Sequence, residues 1–61
     1  MSFIELHINS QPLLLNVNLI EAIKPSLFEG ETQIFMAGSD ADTFWQVTEP
    51  YEKVIEKIYE I

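Results

Sequence analysis

Ile4, Leu6 and Ile8 alternate with Phe3, Glu5, His7 and Asn9 at the start of the chain. A period of two rich in β-branched residues is the pattern of a half-buried strand. Asn9-Ser10-Gln11-Pro12 then supplies turn residues. Leu13-Leu14-Leu15 is apolar on both faces and, placed after that turn, reads as the returning strand of a hairpin.

Asn16-Val17-Asn18 is a bend, and Leu19 to Lys24 runs on to Pro25. Leu19, Ile20 and Ile23 also fit a helical face with Asn18 as its N-cap. Pro25 would limit such a helix to barely two turns, a marginal length. The preferred reading is a strand over residues 20–24, with a tight turn at Asn16–Asn18. Residues 25–31 carry Pro25, Ser26 and Gly30 and form a loop. Leu27 and Phe28 inside it have two readings: a lid folded over one end of the core, which is the preferred one, or an exposed contact for a partner.

Thr32 to Ala37 reads as a strand, with Ile34 and Met36 on one face and Phe35 on the other. After the turn signal Gly38-Ser39-Asp40-Ala41-Asp42, Thr43 to Val47 reads as its partner, Trp45 and Val47 facing one way and Phe44 the other. The last element is a helix over residues 49–60. Thr48 or Glu49 caps it, and Pro50 stands in the first turn, where a missing N–H costs nothing. Tyr51, Val54, Ile55 and Ile58 form one apolar stripe. Glu49 and Lys53 are spaced for an i, i+4 ion pair, and Glu52 and Glu56 for a like-charge clash.

The pattern therefore predicts a mainly β fold with one C-terminal helix: about five antiparallel strands in a small bent sheet or SH3/Sm-like partial barrel, capped by the helix. The expected core is Ile4, Leu6, Ile8, Leu13, Leu15, Ile20, Ile23, Ile34, Met36, Trp45, Val47, Val54, Ile55 and Ile58. Residues 1–61 make one domain.

Composition limits what such a domain can do. A chain of 61 residues buries only about 60% of the surface its unfolded form exposes, so its stability is modest. With no cysteine it has neither disulfides nor thiolate zinc sites, which leaves self-association as the available reinforcement. Ten carboxylates face three lysines, for a net charge of −7, and there is no arginine. Phosphate-backbone binding needs clustered basic groups, so the charge argues against nucleic acid. A negative field also disfavours anionic membranes. Residues 1–8 lack a basic segment and no apolar run approaches the roughly 20 residues of a membrane span, so a cytoplasmic protein is expected.

No residue set for catalysis assembles along the chain. His7 is the only histidine, between Leu6 and Ile8, with no nucleophile motif around it, and reads as a surface strand residue. Asp40-Ala41-Asp42 lacks the glycine and the bidentate glutamate of a calcium loop and reads as a turn. The remaining acids fall on loops or the polar helix face. No cofactor or metal is expected, and the chain is read as a non-enzyme. The aromatic side chains lack the basic groove of a single-strand stacking platform, so core filling or a protein interface explains them better. Leu27, Phe28, Phe35 and Phe44 are the candidate partner-binding residues.

Three stretches carry a family resemblance: Ile8-Asn9-Ser10-Gln11, the run from Leu14 to Ile23 containing Leu19-Ile20-Glu21, and Tyr51 to Ile58 with Val54-Ile55-Glu56-Lys57-Ile58. Together they resemble the FlbD family of small flagellar and swarming-motility proteins. The chain departs from that pattern at Ser10-Gln11, where a glycine turn is usual, and in its longer loop at Gly38–Asp42. The resemblance implies a small bent sheet with a helix, no catalytic residues, and a regulatory or assembly role. The expected function is a small non-catalytic interaction or regulatory module that self-associates or binds a protein partner; the alternative is a nucleic-acid-binding Sm-like domain.

Overall fold

A computed structural model of the chain describes residues 2–40 and 42–61. The described residues are mostly β, with five antiparallel strands and one C-terminal helix, as expected. The strands divide between two sheets: β1 (Phe3–Ile8) pairs with β2 (Gln11–Asn16), and β3 (Ile20–Pro25), β4 (Thr32–Met36) and β5 (Trp45–Val47) form a three-stranded meander. Helix α1 spans Tyr51–Tyr59.

The first hairpin is tighter than the turn residues suggest. Asn9 and Ser10 alone make the turn, both at positive φ (49° and 75°), and Gln11 and Pro12 already belong to β2. Two successive positive φ values match the right-handed twist of a two-residue hairpin, where Asn-Gly is the favoured pair. Ser10 therefore holds a conformation that a Cβ disfavours. Ser10→Gly is expected to stabilise the fold by about 1 kcal/mol, read as a rise in Tm of about 4–8 °C.

The middle segment resolves in favour of the strand. Asn16, not Asn18, caps a 3₁₀ turn at Val17–Leu19, its side chain accepting from the Asn18 N–H at 3.0 Å. The Ile20 N–H returns to the Val17 carbonyl and the chain enters β3. A register shift between Ile20 and Ala22 bends β3 against β4. The β4–β5 pairing sets Thr32 against Val47 and Ile34 against Trp45.

Strand β5 begins at Trp45 and not at Thr43, because the Thr43 N–H closes a turn on the Asp40 carbonyl at 3.0 Å. Ala41, in the expected Asp40–Asp42 turn, lies outside the described residues.

One hydrophobic cluster joins both sheets and the helix: Ile4, Leu6, Leu15, Ile34, Val47 and Val54 are buried. Ile8, Leu13, Ile20, Ile23, Met36 and Ile58 pack around them as expected, together with Val17, which the pattern had placed in a bend. Ile55 is only half-buried. Trp45 is a correction. It shares the face of Val47, but it lies at the end of the short β5 and remains 43% exposed. The helix stripe is likewise narrower than predicted, centred on Val54, with Tyr51 at its exposed margin.

Candidate interaction surface

The two sheets meet at the end of β1, and polar groups just before α1 make that junction. Pro50 occupies the N-cap position with no side-chain cap, so neither Thr48 nor Glu49 caps the helix. Both turn instead onto the outer edge of β1. The Thr48 N–H donates to the His7 carbonyl at 2.8 Å, and the Thr48 hydroxyl donates to the same oxygen while accepting from the Asn9 N–H. Glu49 Oε1 accepts from the His7 N–H at 2.8 Å.

Lys57, two turns along α1, reaches Glu49 Oε2 at 3.3 Å and donates to the Glu5 carbonyl at 2.7 Å. The expected Glu49–Lys53 pair is thus replaced by Glu49–Lys57. A carboxylate acceptor and an ammonium donor take the places that a neighbouring strand would fill along β1.

Beneath this clamp Thr32, fully buried, donates its hydroxyl to the Glu49 carbonyl at 2.6 Å. Thr32→Val keeps the shape but strands that carbonyl. It is expected to cost about 1–2 kcal/mol, measurable by urea unfolding. The His7 ring stands between two carboxylates, Nε2 at 3.5 Å from Glu5 and Nδ1 at 3.6 Å from Glu49. The Thr48 hydroxyl has its bonds committed to the backbone groups of His7 and Asn9. The arrangement is a structural clamp. Among the described residues no group of three His, Cys, Asp or Glu side chains is placed to hold a metal ion.

The predicted partner-binding residues fall at opposite ends of β4. Leu27 and Phe28 occupy the loop before it; Leu27 is fully exposed and Phe28 largely so. The lid reading is therefore overturned: the Ser26 hydroxyl accepts from the Phe28 N–H and the Glu31 N–H closes on the Phe28 carbonyl, a self-contained turn that turns its apolar side chains outward.

Phe35 and Phe44 come together near the other end, their rings 5.2 Å apart and tilted by 47°. Lys24 Nζ lies 5.1 Å from the centre of the Phe35 ring. Beside them Met36, Ser39, Thr43, Phe44 and Trp45 line an open, mainly apolar cleft of about 170 Å³.

A third apolar surface was not foreseen. Phe3 and Leu14 are exposed on the outer side of the first hairpin, and Leu19 is exposed on the turn that follows β2. The signal for it was already in the triple leucine, since a strand of a two-stranded sheet can bury only one of its faces.

No protein-family model, curated protein or solved structure matches the chain. Among the described residues no helix is long and apolar enough to cross a membrane.

Proposed function

We propose that this chain is a non-catalytic interaction module of the cytoplasm that works by associating with itself, and that its regulatory or assembly role is of the flagellar and swarming-motility kind its sequence resembles. One observation carries the reading. Among the described residues ten large apolar side chains are exposed, and they gather on the outer face of the first hairpin (Phe3, Leu14), on the loop before β4 (Leu27, Phe28) and beside the cleft (Phe44, Trp45). Single exposed apolar residues are ordinary; grouped ones mark a protein contact.

Size-exclusion chromatography with light scattering tests the association. The average mass is expected to exceed the 7.0 kDa of one chain and to rise with concentration. A clean monomer at high concentration would remove self-association. The nucleic-acid reading has less support, because Lys57 is held by Glu49 and Glu5 and Lys24 lies against Phe35. RNA at low ionic strength is accordingly expected to leave the elution unchanged. A salt-sensitive shift would restore that reading.

A further inference from the structure

Residues Leu6 to Ile20 contain no Asp, Glu, Lys or Arg, although the chain carries a net charge of −7. This is the longest uncharged run in the chain, and it includes all of β2. Two copies of an acidic protein repel one another over most of their surfaces. They approach at least cost where few charges stand, and the uncharged run includes the edge residue Leu14, with Glu5 across the hairpin from it.

The backbone of β2 makes that edge specific. Glu5 and His7 direct their backbone groups away from β2, toward Lys57, Thr48 and Glu49. Their cross-strand partners, Leu14 and Pro12, therefore direct theirs away from β1. Pro12 has no N–H to offer, as suits a strand at a sheet edge. Leu14 presents both an N–H and a carbonyl there, and its side chain is 63% exposed.

The other edges are guarded. The outer edge of β1 is occupied by residues 48, 49 and 57; β3 carries Glu21, Lys24 and Pro25; β5 is short. Charges, proline and brevity are the usual means of keeping an edge from pairing.

We propose that β2 pairs antiparallel with β2 of a second copy about a two-fold axis at Leu14. Each Leu14 N–H then donates to the other Leu14 carbonyl, and the two hairpins join into one four-stranded sheet. The contact is isologous and uses the same Leu14 edge position on both copies, so the assembly closes at two. This inference rests on the self-association proposed above and assigns it to one surface.

Hydrogen exchange and sedimentation velocity on the full chain test it together. The Leu14 amide is expected to be protected in concentrated solution and to exchange freely on dilution, with the His7 amide unaffected. Leu14→Pro, which removes the edge donor, and Leu14→Lys, which sets like charges at the axis opposite a favourable Glu5, are each expected to weaken association by about tenfold or more. Glu52→Gln changes the net charge by the same amount on the solvent face of α1 and is expected to leave it unchanged. Circular dichroism checks that each variant is folded, and the exchange result on the unmodified chain stands whether or not they fold.

A dimer indifferent to Leu14, or weakened equally by Glu52→Gln, overturns this interface while leaving self-association intact. A Leu14 amide with the same protection at every concentration, in a chain that does associate, also overturns it. A wild-type chain that stays monomeric overturns both readings and leaves the edge to a foreign strand.

Discussion

Leu6→Ala is expected to lower the unfolding free energy by about 3 kcal/mol, which for this chain is most of what it has. Leu6 is fully buried at the middle of β1, paired with Leu13 and surrounded by the cluster that joins both sheets to α1. Truncating a buried leucine costs about 2–5 kcal/mol, from lost transfer free energy and the cavity left behind. A core of this size rarely supplies more than about 3–5 kcal/mol of net stability. Urea unfolding followed by far-UV circular dichroism should show Leu6→Ala substantially unfolded before denaturant is added. Leu14→Ala, on the opposite face of the same hairpin, should stay within about 0.5 kcal/mol of the parent for the isolated fold. Similar losses from the two would mean that the hairpin packs with its other face inward.

The second large effect concerns a charged residue. Glu49→Ala is expected to cost about 2–3 kcal/mol, because a charge-assisted hydrogen bond is worth more than a neutral one and its loss strands the His7 N–H. Only 19% of the Glu49 side chain is exposed, so little water is at hand to replace the carboxylate. Glu49→Gln keeps an acceptor for His7 and should cost about 1 kcal/mol. Lys57 is roughly one-third exposed, and screening limits its direct coupling to Glu49 to about 0.5–1 kcal/mol in a double-mutant cycle. Glu52→Ala, on the solvent face of the helix, provides the comparison and should be nearly neutral. Faster exchange of the His7 amide in Glu49→Ala would locate the loss at the β1 edge. Unchanged stability in Glu49→Ala would mean that the clamp contributes nothing.

These two residues mark how far the sequence could be read. Leu6 was legible because strand β1 alternates cleanly, and the helix was legible from the spacing of Val54, Ile55 and Ile58. Strands β4 and β5 followed from their turn signal. Glu49 was legible only as a helix residue, since local rules assign a glutamate beside Pro50 to a cap or to an i, i+4 pair. Its actual partners, His7 and Lys57, are set by the packing of α1 beside β1, which no local spacing encodes.

Thr32 and Trp45 show the same limit in opposite directions. Thr32 is buried because the Glu49 carbonyl is there to receive its hydroxyl. Trp45 is on the core-facing side but beyond the end of what the core can cover. Of the candidate contacts, Phe35 and Phe44 do meet, whereas Leu27 and Phe28 stand apart on their own turn. The exposed Leu14 of the first hairpin went unassigned because a triple leucine reads as buried until the number of strands available to cover it is known.

The central claim, association through apolar and backbone contacts against a repulsive net charge of −7, is tested most directly by sedimentation equilibrium at low and high salt. Salt screens the repulsion between copies and leaves apolar burial in place. The predicted result is a mass that approaches twice 7.0 kDa and reaches it at lower protein concentration as salt rises. A monomer under every condition, or a dimer that dissolves as salt is added, would contradict it.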